Sequence, residues 1–392
     1  MFSLLTLVRK SAARLAALAA VAALAACGPT VPGADGPAAG PGGTVQVALL
    51  VPSGSGQATD ELIATSLQNA ARLAIADLGQ GVKIDLKVYS TAGQPAQAAA
   101  MATQAVDEGA KIILGPLYAA EANAVGVAVA SRGVNVLSFS NNADIAGGNV
   151  FVLGSTFQNT AARLASYARQ QGIGKIMIVH DQNQAGEVGR AAIAAEVARA
   201  GSAVVGTGSY EFSQSGIAAA IPGVAAKARE TGAQGIFFTA DSAGALPLVT
   251  QLMKDNRVDP ATVQFIGLTR WDIPPATVSL PSVQGGWFAL PDPALYAQFT
   301  ARYKAAYSAD PHSTAALAYD GIAAIGALMS RGNSTALNSA ALTQGAGFVG
   351  VNGIFRLLSD GTNQRGLAVA KIQNNQVTII DPAPRSFGGF GS

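Results

Sequence analysis

The sequence predicts an α/β protein made of two lobes, each a doubly wound parallel sheet. Short apolar runs closed by turn residues alternate with segments whose apolar residues recur at helical spacing, from residue 44 to residue 268. That alternation marks strands buried on both faces and connected by helices. The chain has 392 residues, enough for two separate cores. Each strand feeding a helix that returns to the same sheet must cross right-handed, which leaves the doubly wound arrangement.

In chain order, residues 44–52 read as a strand ending at Ser53-Gly54-Ser55-Gly56. That loop lacks both the Gly-Lys-Ser/Thr ending and the spacing of nucleotide-binding loops. Helix 61–78 carries Ile63, Leu67, Ala70, Ala71 and Ala74 on one face, strand 83–89 follows, and helix 95–108 closes at Gly109. The central unit is strand 112–114, stopped by Gly115-Pro116, then an alanine-rich helix to Arg132 and strand 134–139 opening into Ser140-Asn141-Asn142. Strand 150–154 ends this half.

The second half repeats the pattern: helix 160–171, strand 175–179, helix 187–200, strand 203–210, helix 217–231, strand 234–239, helix 246–255 and strand 263–268. Pro222-Gly223 marks a point where its third helix can break. Strand 284–290, helices 294–307 and 314–331, and strands 354–357, 367–372 and 377–380 complete the chain, with turns at Asp360-Gly361 and Asn374-Asn375. Residues 382–392 read as a loose tail.

The N-terminus is a targeting segment. Arg9, Lys10 and Arg14 precede an apolar stretch over 15–26 that is too short to span a bilayer. It ends in Leu24-Ala25-Ala26-Cys27, and Cys27 is the chain's single cysteine. Residues 28–43, rich in Gly, Pro and Ala, form no core and read as a flexible tether.

Several function classes are excluded or left without residues. A net charge of +2 with 12 % charged residues gives no basic excess for nucleic acid. The two histidines, His180 and His312, are isolated from each other and from Cys27, so no metal-ligand spacing exists. No G-x-S-x-G elbow occurs. Asp181, Asp241 and Asp320 are the carboxylates from which an acid–base pair would have to come; turn and cap roles suit them as well. The reading is a protein with no catalytic residues, no metal and no cofactor.

The strand-end loops carry the candidate site. In open α/β sheets ligands bind at the carboxyl ends of strands, which places a cleft between 117–121 and 138–142. Gly115-Pro116, the following Ala-Glu-Ala-Asn-Ala-Val, and Val-Leu-Ser-Phe-Ser-Asn-Asn resemble the type I periplasmic-binding fold of leucine-type solute receptors. Within it they look most like penicillin-binding protein activator lipoproteins. Leu24 to Cys27 looks like the bacterial lipobox, which implies lipidation at Cys27.

The resemblance covers roughly 45–380 and implies three crossovers, near Ser155, Leu290 and Val351, with the cleft between the lobes. The first lobe is then 44–154 plus 291–350 and the second 155–290 plus 351–381. Gly154, Gly350 and Gly353 suit hinges. The implied ligand-binding residues are Tyr118, Ala119, Glu121, Ser138, Ser140 and Asn141 from the first lobe. Gln184, Asp241, Arg270 and Trp271 come from the second, and Trp271 and Trp287 would report closure. The chain departs from the receptors where Glu121 replaces small hydroxyl residues and Ala185-Gly186 stands for a Tyr-Gly pair. The implied partners are a small amino-acid- or peptide-like ligand, an ABC transporter or a penicillin-binding protein, and a membrane, the outer one, reached through the lipid. The implied location is the periplasm.

Overall fold

The computed structural model describes residues 44–330 and 337–387. The targeting segment, Cys27, the tether and residues 388–392 lie outside the described residues.

The first sheet is wholly parallel, in the order β2-β1-β3-β4-β5: β1 (Val45–Val51), β2 (Ile84–Ser90), β3 (Ile112–Leu114), β4 (Asn135–Ser138) and β5 (Val150–Val152). Its connecting helices are α1 (Ala58–Asp77), α2 (Pro95–Asp107) and α3 (Ala119–Val129). β1 shows why both faces are apolar. Val47, Leu49 and Val51 join Ile63, Leu67 and Ala70 of α1 in one core, while Ala48 and Leu50 join Ala98 and Ala102 of α2 in another. Successive residues of a strand point to opposite faces, so a strand between two helical layers has no polar side.

The second sheet runs β15-β14-β10-β9-β8-β6-β7. Its strands are β6 (Lys175–Asp181), β7 (Ala203–Tyr210), β8 (Gly235–Phe238), β9 (Gln264–Gly267), β10 (Trp287–Leu290), β14 (Ala368–Gln373) and β15 (Gln376–Asp381). The neighbours from β7 to β10 are parallel, and β14 and β15 add an antiparallel edge. Helices α4 (Phe157–Gln170) and α5 (Gln184–Arg199) share one core with this sheet. Helices α6 (Gln214–Glu230) and α7 (Leu246–Asp255) share the other. α6 runs unbroken through Pro222. The proline removes one backbone donor, but Ile217, Ile221, Val224 and Ala225 on both sides of it are buried against the sheet and hold the helix.

Helices α8 (Pro293–Tyr307) and α9 (Ala315–Met329) return to the first lobe, where Phe299, Tyr303, Ile322 and Ile325 enter the α1 core. A short helix, α10 (Ser339–Leu342), follows. Then comes a three-stranded antiparallel sheet of β11 (Phe348–Gly350), β12 (Gly353–Leu357) and β13 (Asn363–Arg365). The chain leaves the first sheet between β5 and α4 and returns between β10 and α8. The third crossing is displaced. Phe348, Val351, Phe355 and Leu357 belong to the first lobe's core, and Leu367 is the first residue to enter the second lobe's. The chain therefore crosses at Gly366 rather than at Val351, because the Gly-rich stretch before it buries aromatic side chains. Of the expected tail, Ala383 is buried and Phe387 lies under the Arg356 guanidinium.

Among the described residues no helix is long and apolar enough to cross a membrane.

Candidate functional site

The carboxyl ends of the first sheet gather an acidic cluster. Tyr118 precedes α3, and its hydroxyl donates to Asp60 Oδ1 on α1. Its backbone N–H donates to Glu121 Oε2 at 3.4 Å, closing the first turn of α3. Glu121 is fully buried, and its Oε1 has no hydrogen-bond partner among the described residues. Burial pushes its carboxyl above the usual value; the neighbouring Thr91 hydroxyl and the Tyr118 N–H pull it part of the way back, and the Asp60 charge adds to the rise. The bond to Asp60, with burial, pushes the Tyr118 phenol up to about 12. Thr91, at the end of β2, is buried beside them and donates to the Val51 carbonyl at 3.1 Å.

The expected hydroxyls of the second loop play a different part. Ser138 and Ser140 are both buried. Ser138 Oγ donates to the Pro116 carbonyl at 3.2 Å and accepts the Ser140 N–H at 3.1 Å; Ser140 Oγ accepts the Asn142 N–H at 3.1 Å. These side chains stand in for backbone partners and hold the loop in shape. Asn141 is exposed between them, and Ala119, the first residue of α3, brings no polar side-chain atom.

The second sheet presents a similar cluster. Asp181 ends β6 and is 8 % exposed; the Tyr210 hydroxyl donates to its Oδ1, and Thr239 Oγ1 accepts its backbone N–H at 3.2 Å. Burial raises the Asp181 carboxyl, and the Asp241 charge raises it further. Burial, with the Asp181 bond, also drives the Tyr210 phenol far up. Asp241 folds its own turn by accepting the N–H groups of Ala243 and Gly244 at 2.7 and 2.8 Å. Gln184 is exposed in the first turn of α5, which Asn183 caps through the Gly186 N–H at 2.7 Å. Arg270 is neutralised by Asp272, with Nε to Oδ1 at 2.9 Å and Nη2 to Oδ2 at 2.5 Å.

Trp271 corrects the expectation placed on it. It is wholly buried in the second core, 6.4 Å from the Phe238 ring, and does not line a strand-end cleft. Gly267 and Gly286 lie against its indole so closely that a Cβ on either would collide with it. His180 is buried, with Nδ1 3.0 Å from the Asp181 carbonyl and 3.5 Å from Glu187. His312 pairs locally with Thr314 at 2.9 Å, and burial lowers its pKa.

Asp320 is fully buried and holds structure. It meets Arg365 and accepts N–H groups of Val351 and Asn352, an arrangement that leaves no free carboxylate for acid–base work.

The structure thus brings Tyr118 and Glu121 together with Asp60, and sets Asp241 beside Asp181 and Tyr210. Sequence reading did not single out Asp60, the partner of Tyr118. Its signal is phase: Asp60 shares a helical face with the buried Ile63, Ala64 and Leu67, so a carboxylate is drawn inward with the apolar stripe. What the clusters can do chemically is accept. Carboxylates at two strand edges, one with a bare buried oxygen, suit an ammonium group and repel an anion.

Solved structures share this architecture. One from Rhodospirillum rubrum, assigned to a branched-chain amino acid ABC transporter, superposes with a TM-score of 0.71 at 18 % identity, covering 86 % of this chain and 99 % of that one. A branched-chain amino acid ABC transporter periplasmic ligand-binding protein from Burkholderia xenovorans LB400 gives 0.66 at 17 %, covering 87 % and 96 %. An ABC transporter substrate-binding protein from Desulfitobacterium hafniense, in complex with Leu, gives 0.63 at 19 %, covering 86 % and 100 %. At these identities the likeness is one of fold. Comparison with curated proteins finds no match. The family model described as periplasmic binding protein matches residues 44–376, from the first strand to the start of the last, and the chain belongs to that family.

Proposed function

We propose that this chain is an extracytoplasmic solute receptor, lipid-anchored through Cys27, that captures a small amine-bearing, amino-acid-like solute between its lobes and passes it to an ABC transporter. The family supports the receptor role, and solved relatives of the same fold include one holding Leu. The observation that carries the ligand class is Glu121 Oε1, buried and without a partner beside Asp60 and Tyr118. An isolated buried carboxylate is costly until paired, and a ligand ammonium donating to it supplies the pair. Asp181 and Asp241 offer acceptors to the same class of group from the second lobe.

The test is calorimetry on the full chain against the twenty amino acids and linear diamines, followed by the desamino analogue of each hit. The ammonium should be indispensable. Equal binding of a desamino analogue, or no amine bound at all, would overturn the reading. Fractionation tests the anchor: Cys27→Ala should move the protein from membranes to the soluble fraction, and a variant that still pellets after a salt wash refutes it.

A further inference from the structure

A cavity of about 530 Å³ lies away from the strand-end clusters, and none of their residues line it. It is bounded by α4, the C-terminal end of α5, the β12–β13 hairpin and the run ending at Phe387, with Ala143 of the first lobe on its rim. Its volume is in the range of small-molecule sites. Its lining is basic on balance, with arginines outnumbering its two carboxylates, Glu196 and Asp360, unlike that of the acidic clusters.

Four arginines border it, and they differ in how they are compensated. Arg163 is committed to Asp381 at 2.6 Å and to the Leu367 carbonyl at 2.7 Å, and Arg365 to Asp320 at 3.1 Å. Arg199 bonds the buried Glu196 at 2.7 Å while remaining 75 % exposed. Arg356 is positioned without being neutralised. Its Nε donates to Gln364 Oε1 at 2.7 Å, its Nη1 to the Gly345 carbonyl at 3.3 Å, and its guanidinium stacks 4.7 Å above the Phe387 ring. Among the described residues it pairs with no carboxylate.

The second observation is Asn363. It is 4 % exposed and lines the cavity, and its Oδ1 has no partner among the described residues. Its Nδ2 donates to the carbonyls of Val152 and Gly154 at 2.7 and 2.9 Å. Those two bonds fix which end of the amide is oxygen. A buried amide oxygen left bare is uncommon in native structures and calls for a donor.

We infer that this cavity is a second ligand site, for a small carboxylate that carries an amide N–H and an apolar flank. The carboxylate pairs with Arg356, held in place for a charge-assisted bond. The N–H donates to Asn363 Oδ1. The apolar part lies along Phe387, Leu358 and Pro384, which line the same cavity. The site takes ligands without an ammonium group, which separates it from the strand-end clusters.

The probe is N-acetyl-L-phenylalanine, which has the carboxylate, the amide N–H and a ring but no ammonium. Calorimetry on the full chain should show saturable one-to-one binding. Arg356→Gln should weaken it by at least about tenfold, the loss expected from removing a hydrogen bond to a charged group. Ser166→Phe, which fills the cavity from α4 and leaves every charge in place, should weaken it as much. Both variants should keep the wild-type circular-dichroism spectrum and cooperative melting transition, which shows them folded. No saturable binding by the wild type, or binding that survives both substitutions, overturns the proposal.

Discussion

Arg365 meets Asp320 at 3.1 Å with the two side chains 3 % and 0 % exposed, and between them they tie together the segments where the chain passes from lobe to lobe. Arg365 also donates from Nε to the Leu153 carbonyl at 2.9 Å, at the first crossing. Asp320 accepts the Val351 N–H at 2.8 Å and the Asn352 side-chain amide at 3.0 Å. The Asn352 carbonyl accepts the N–H of Asp292 at 3.4 Å, at the second crossing. Burial pushes the Asp320 carboxyl up, and Arg365 and the other donors pull it back.

Removing one half of this pair strands the other. Asp320→Ala should destabilise the protein by about 3–5 kcal/mol, the usual cost of leaving a buried charge uncompensated. Urea denaturation measures it. A loss below about 1 kcal/mol would mean that water reaches Arg365 and that the pair holds nothing.

Gly350 gives a sharper test. A Cβ there would run into the Asp320 carboxylate, so the glycine is required by close approach and not by hinge freedom. Gly154 is in the same position against the Ser140 carbonyl. Gly350→Ala should cost about 1–3 kcal/mol through overpacking, although alanine by itself would favour the folded chain. A variant as stable as the wild type would restore the hinge reading of this glycine.

Glu121→Gln should move stability and binding in opposite directions. The buried charge disappears while the acceptor for the Tyr118 N–H is kept, so thermal stability at neutral pH should rise. Affinity for an amine ligand should fall about ten- to a hundredfold. If both fall together, the residue is holding structure instead of waiting for a ligand.

Acidity should act in the same sense. The carboxyls of Glu121 and Asp181 are raised by burial, so they take up protons at a higher pH than exposed carboxylates do. Amine affinity should therefore decline on acidification in a window that opens above the usual carboxylate range. Their contribution to stability runs the other way. The folded state holds these protons more tightly than the unfolded chain, so stability rises as pH falls from the folded value toward the unfolded one. Calorimetry and melting curves across pH, compared with Glu121→Gln, isolate both effects; an affinity flat down to the ordinary carboxylate range would remove these two groups from the site.

Trp271 should emit in the blue, resist acrylamide quenching and ignore ligand, because its indole is enclosed by Gly267, Gly286 and Phe238. Trp287, 8 % exposed and edge-on to Tyr167 at 5.0 Å, should do the same. Trp271→Ala should cost about 3–5 kcal/mol as a core truncation. Quenching of wild-type emission by acrylamide would put an indole back at the surface.

The architecture was legible because it is written in periodicity. β1 lies between two helical layers, and α1 repeats its buried apolar positions from Ile63 to Ala74. The third crossing was not legible in the same way. Val351 sits among glycines that look like a linker, yet Phe348 and Phe355 flanking it pack with their rings tilted, centroids 5.5 Å apart, inside the first lobe. β13 escaped notice because its residues are polar: Asn363 and Arg365 earn their place through hydrogen bonds to distant carbonyls, which no local pattern encodes. Glu121 was visible as a departure from the receptors that the chain resembles. Ser138 is ambiguous in sequence, since a hydroxyl at a strand end looks the same whether it serves a ligand or a backbone carbonyl, and here it donates to Pro116. Trp271 failed for a related reason: the two glycines that receive it lie 4 residues before and 15 after it in the sequence.

Two bodies joined by three independent links resist relative motion in most directions. Here the links are bonded to one another around a single carboxylate and a single guanidinium. A change at either side chain is therefore felt at all three crossings at once, and none of them can be altered alone.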